Sequence, residues 1–116
     1  MELMIVVAII GIVSAIAVPC YAAYRNKAHD TTARADLRSA MRFLDLYCLE
    51  NYEYPDGPED LLTVGFRLSG DVSFTRFGVG SFDGGQQTVH MHIKHELSPN
   101  TWHANYPQEG YEIEIR

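Results

Sequence analysis

Hydrophobic and polar positions fall into three regimes along this chain. From Leu3 to Ala23 there is no charged side chain, in the run LMIVVAIIGIVSAIAVPCYAA. As a helix, that run would rise about 31 Å, the thickness of a bilayer's hydrocarbon core. Past Pro19 the pattern becomes amphipathic. Ala33, Leu37, Ala40, Met41, Leu44, Tyr47 and Cys48 recur at three- and four-residue spacing as one stripe. Arg34, Arg38, Arg42 and Asp45 take other faces, and Asp30 is placed to pair with Arg34 one turn on. One long helix is predicted from about residue 2 to about Asn51, ending before Pro55 because a residue preceding proline disfavours the helical conformation. From Val72 onward the alternation has period two. It predicts strands at Val72–Phe77, Thr88–His95, Thr101–Tyr106 and Tyr111–Ile115, with Gly, Pro, Asn or Asp in the gaps.

The pattern implies an α+β fold, a long N-terminal α-helix packed on a C-terminal four-stranded antiparallel β-meander. Its organisation reads as a hydrophobic transmembrane or filament-core segment at 1–24 and an amphipathic helix half at 25–52. An αβ loop at 53–70 and a sheet domain at 71–116 follow. In that sheet Val89, Met91 and Ile93 should face the helix, with His90, His92 and Lys94 outward. Tyr111, Ile113 and Ile115 should point in, and Glu112 and Glu114 out. Within the loop, Asp56 or Gly57 can cap a short helix opened by Pro58 and anchored by Leu61 and Leu62. The acidic group Asp56, Glu59 and Asp60 lacks the alternating spacing of a calcium loop, so capping is the simpler reading.

Length and charge narrow the function. A chain of 116 residues holds one domain rather than two independent cores. Residues 1–50 carry five basic and five acidic groups, whereas residues 51–116 carry four basic and ten acidic, so the whole net charge of −6 lies in the second part. An acidic exposed half argues against nucleic acid as primary partner. No nucleophile with a placed base, glycine-rich phosphate loop or paired-cysteine metal motif is visible, so neither enzyme nor cofactor chemistry is expected. His90 and His92 share a strand face, and His95 would approach His103 across a turn at Ser98-Pro99-Asn100. Without a third ligand, exposed polar positions explain them better than a metal does. Cys20 and Cys48, 28 positions apart, would stand roughly 40 Å from one another on one helix. That excludes an intramolecular bridge, leaving buried thiols as the expectation and an intermolecular pair as the alternative.

The remaining features concern the apolar segment. Gly11, Ser14, Ala15 and Ala17 would let neighbouring helices approach closely. Pro19 removes one backbone donor, which predicts a bend or a locally unwound stretch near Gly11–Pro19. Glu2 is a carboxylate at the lip of an apolar span. Either it sits in the interfacial layer, favoured by the helix macrodipole, or it pairs with a positive group of a neighbouring copy, most naturally an N-terminal amine.

The stretch MELMIVVAIIGIVSAIAVPCYAAYRNKA resembles the N-terminal segment of type IV pilins and type II secretion pseudopilins, with Glu2, Gly11, Pro19 and Tyr21 at the matching positions. YRNKAHDTTARADLRSAMRFLDLYCLENYEYP and, more loosely, DLLTVGFRLSGDVSF resemble pilins of Geobacter-like deltaproteobacteria, including longer members. The resemblance implies a subunit that polymerises into an extracellular pilus on the bacterial surface, serving adhesion and motility. It implies an inner-membrane pool before assembly, a basic leader removed by a prepilin peptidase, an N-methylated mature terminus, and an assembly machinery as partner. Arg25 and Lys27 would place the following side in the cytoplasm by the positive-inside rule; the leader implied by the resemblance reverses that count. The family has four residues before this Glu and only Met1 precedes Glu2 here, so the expectation is a chain that lacks the first three mature residues or starts internally. Glu2, Gly11 and Pro19 are thus the expected assembly residues, with Glu2 meeting the amine of an adjacent subunit. A secretion pseudopilin is the alternative. A role in extracellular electron transfer, through Tyr21, Tyr24, Phe43, Tyr47, Tyr52 and Tyr54, is a further one, although aromatics at helical spacing more often serve packing.

Overall fold

The computed structural model describes residues 1–81, 85 and 87–106, together with the backbone of 113–115. Helix α1 runs without interruption over Glu2–Asn51, with Pro19 inside it. The locally unwound stretch expected near Gly11–Pro19 is therefore absent. Fifty residues of helix measure about 75 Å, and the molecule's longest extent is 76 Å, which leaves little room for a sharp kink. A single proline forfeits one hydrogen bond, and the strong helix formers around it keep the remainder of the ladder. The helix ends at Tyr52 in the left-handed conformation, φ 57°, whose N–H donates to the Cys48 carbonyl at 2.9 Å.

Helix α2, Pro58–Thr63, is capped by Gly57 and begins with the expected proline. Leu61 is its apolar anchor, while Leu62 remains largely exposed. The Asp60 carboxylate accepts the Asp56 N–H at 2.9 Å, so part of the acidic group does tie the turn together.

Three strands, β1 (Val72–Ser81), β2 (Gln87–His95) and β3 (Thr101–Tyr106), form an antiparallel meander in chain order. β1 outruns its expected end at Phe77 because backbone pairing with β2 carries Gly78 and Gly80 into the ladder. The expected fourth strand at Tyr111–Ile115 lies largely outside the described residues, as do the directions of its side chains. Only the backbone of Ile113–Ile115 is placed, antiparallel to β3.

One face of this sheet rests on the second half of α1. Ala33, Leu37, Ala40 and Leu44 from the helix meet Val89, Met91 and Ile93 from β2, all fully buried, with Leu61 and Phe66 from the loop. The expected parity of β2 holds. Rings of Phe43, Phe66, Phe74 and Phe77 continue this core from helix to loop to sheet, with centroids 5.7, 6.0 and 5.8 Å apart in succession. A β-bulge makes that chain possible. The register moves by one between Phe74 and Arg76, so Phe74 opposes Ile93, Arg76 opposes His92 and Phe77 opposes Met91. Both phenylalanines thereby face the helix although three positions separate them.

Candidate assembly surface

The apolar half of α1 is uncovered. Every residue from Met1 to Ala28 is exposed, and the first fully buried helix residue is Ala33. Leu3, Met4, Val7 and Ala8 line an apolar depression at one end of it. At the other end Val18, Tyr21 and Ala22, with Arg25 and Asn26, border a second, mixed depression, closed on the domain side by His29 and Leu97. Leu97 lies between β2 and β3 and is 55% exposed, so the apolar surface passes from the helix onto the domain. About 20 exposed apolar residues in sequence cannot rest in water; at roughly 25 cal/mol per Å² their burial against lipid or like surfaces is strongly favoured. This is also the one helix among the described residues long and apolar enough to cross a membrane.

The expected assembly residues all sit on this surface. Glu2 stands in the first turn of α1, where a carboxylate complements the exposed N–H groups. Gly11 has open space beside it, with nothing within 4 Å of where a Cβ would be. Pro19 is followed by Cys20, which is exposed, whereas Cys48 is half-buried. Both thiols are free, and the expectation of buried thiols does not hold for Cys20 within the single chain. The six aromatics named from sequence divide in two. Tyr21, Tyr24 and Tyr52 are exposed, whereas Phe43, Tyr47 and Tyr54 pack against the domain core.

What holds the domain at a fixed place on the helix is a set of polar clamps that the sequence did not single out. Asp36 lies in the buried stripe and is 8% exposed. Its carboxylate accepts the Ser69 backbone N–H and the Ser69 hydroxyl, both at 2.9 Å, pinning the αβ loop. Asp30 accepts the Ser98 hydroxyl and, at 2.8 Å, the Asn100 side-chain amide, pinning the turn between β2 and β3. Tyr106 donates its hydroxyl to Asp45, and burial and that carboxylate together push the phenol's pKa far up. The Arg34 guanidinium lies 4.8 Å from the centre of the Trp102 ring. A carboxylate interrupting an apolar stripe, as Asp36 does between Ala33 and Leu37, was the readable signal. Its partner 33 positions away was not.

The histidines also regroup. His95 is buried and stacks on His29 with centroids 4.2 Å apart, so the expected approach of His95 to His103 does not occur. The β2–β3 register instead sets His103 opposite His92, 4.6 Å between ring centres. Among the described residues no group of three His, Cys, Asp or Glu side chains is placed to hold a metal.

No family model matches the chain, but two characterised proteins do. It is 36% identical over 75 residues to the type IV wide pilus major component PilA4 of Thermus thermophilus, a match covering 64% of this chain and 57% of that protein. It is 37% identical over 60 residues to the type II secretion system core protein G of Pseudomonas aeruginosa, covering 52% of this chain and 42% of the relative. The chain thus spans about half the length of the curated relatives it matches. Over the matched residues the chain is thus similar to a type IV pilin and to a type II secretion core protein, and its uncovered apolar helix continuing into an α+β domain agrees with that similarity.

Proposed function

We propose that this chain is a structural, non-enzymatic subunit that polymerises into an extracellular type IV pilus, supporting adhesion and motility. The observation that carries the reading is the apolar half of α1, wholly uncovered yet continuous with a helix half fixed to the domain. In the inner membrane that half is satisfied by lipid. In a filament it is satisfied by the same surface of other copies, so helices bundle at the centre and sheet domains lie outside. Gly11 and its small neighbours let helices approach, Pro19 marks the passage to the docked half, and Glu2 pairs with a positive group of an adjacent subunit. Prepilin peptidase and the pilus assembly machinery are the partners this reading requires.

Glu2→Ala is expected to impair assembly or register, read as fewer or irregular filaments by electron microscopy. Normal filaments from that variant would remove the pairing role of Glu2. The similarity to a secretion core protein supports a second reading, a pseudopilin forming a short periplasmic piston. Long surface filaments on wild-type cells distinguish the pilus subunit from it.

A further inference from the structure

The outer face of the sheet carries a group of side chains that helix-driven assembly leaves unused. The bulge in β1 sets Arg76 opposite His92, Gly78 opposite His90 and Gly80 opposite Thr88. Without the bulge, Arg76 would stand opposite Met91 on the helix-facing side. Gly78 and Gly80 leave two successive outer positions without side chains. A Cβ at Gly80 would lie 3.3 Å from Nε2 of His90. The outcome is a concavity of about 420 Å³ lined by Arg76, Gly78, Val79, Gly80, His90 and His92.

His90 forms a fixed wall of this concavity, with Nδ1 hydrogen-bonded to the Asn105 side-chain oxygen and Nε2 3.3 Å from the Thr88 hydroxyl. His103 flanks it from β3, its ring stacked on that of His90 at 6.1 Å and tilted against that of His92 at 4.6 Å. The charge on this face runs against the rest of the domain. Ten acidic groups outnumber four basic ones over residues 51–116. Yet the outer register positions hold Arg76 from β1, His90, His92 and Lys94 from β2, and His103 from β3, with no carboxylate among the described residues at those positions. A guanidinium beside the imidazoles repels a metal cation and attracts an anion.

We propose that this concavity binds a small tetrahedral oxyanion of the sulfate or phosphate class, held by the Arg76 guanidinium and the His92 imidazole against the wall made by His90. Burial, then the neighbouring His103, Arg76 and His90, hold His92 below its ordinary range. An anion in the concavity offsets the repulsion among these groups and favours the protonated ring. Binding therefore tightens as pH falls.

The test is calorimetric titration of sulfate into the full chain in non-ionic detergent micelles, with ionic strength held constant by sodium chloride. Sulfate keeps its charge between about pH 5.5 and 7.5, so any change in affinity over that range reports the imidazoles. Binding is expected to be about tenfold tighter at the acid end, one unit of imidazole coupling, and inorganic phosphate should displace the sulfate. Arg76→Gln should weaken it about tenfold or more. His92→Asn should flatten the pH response, while Lys94→Gln, outside the concavity, leaves both unchanged. Wild-type affinity in Arg76→Gln, or binding that follows total salt alone (an adventitious ion only), would overturn the proposal. Should a variant fail to fold, the ring resonances of His90 and His92 in the wild-type chain decide it: they must move on adding sulfate, and unmoved resonances overturn the proposal.

Discussion

The two halves of α1 share one backbone geometry and differ in what covers them. Up to Ala28 every side chain is exposed, although most are apolar; from Ala33 to Leu44 the apolar stripe is buried beneath the sheet, Ala33, Leu37, Ala40 and Leu44 fully and Met41 in part. The first half is apolar all round, which suits surroundings apolar on every side. The second is apolar on one stripe, which suits a domain on one side and water on the other. The same residue type therefore has different consequences in each. An isoleucine at position 12 contributes almost nothing to the fold of the single chain, whereas a leucine at position 37 is part of what holds the domain together.

Placing a charge in the first half should have the largest effect on assembly. Ile12→Asp is expected to abolish filaments seen by electron microscopy while leaving the thermal midpoint of the chain in micelles nearly unchanged, as for a surface substitution within about 0.5 kcal/mol. Normal filaments from this variant would erase the distinction between the halves. Next is Leu37→Ala, which empties a fully buried position and should cost about 2–5 kcal/mol in denaturant unfolding. A loss below about 1 kcal/mol would mean that the domain does not depend on the docked stripe.

Asp36→Ala sharpens the comparison, because it makes the docked stripe more apolar and should still destabilise. It leaves the Ser69 N–H without its acceptor, at about 1–3 kcal/mol. A gain in stability would show that stripe hydrophobicity, rather than the clamp, sets the attachment. The smallest expected effect is one of pH. Burial, followed by nearby positive groups, lowers the pKa of His92. Burial lowers that of His103 as well, against an opposing hydrogen bond with Asn105. Between those lowered values and about 6.5 the unfolded chain binds more protons than the folded one, so stability falls as pH drops through that window. Unfolding midpoints in sulfate-free buffer should show the decline, and His92→Asn should reduce it. A decline of the same size in that variant would assign it to other groups.

The extent of α1 was legible because helix periodicity and the stop at Pro55 are local signals, and the inward set on β2 because strand alternation is too. The bulge was not legible. Reading VSFTRF by strict alternation sends Phe74 and Arg76 to one face, and only pairing against β2 shows Thr75 as the extra residue. The pairing of His103 with His92 rather than His95 was hidden for the same reason, since it depends on the register of β3.

Composition and periodicity alone specify a long helix with one half apolar all round, a charge-balanced first part and an acidic second part. Those are sums and periods over neighbouring residues, and no distant contact is needed to state them. Tertiary structure alone decided that Asp36 meets Ser69, that Asp30 meets Ser98 and Asn100, and that Arg76 joins His90 and His92 around one concavity. Those depend on how the loop returns to the helix and how strands slide past one another. A shift of one residue reverses every side chain on a strand, and such a choice is made by packing between segments far apart in the chain.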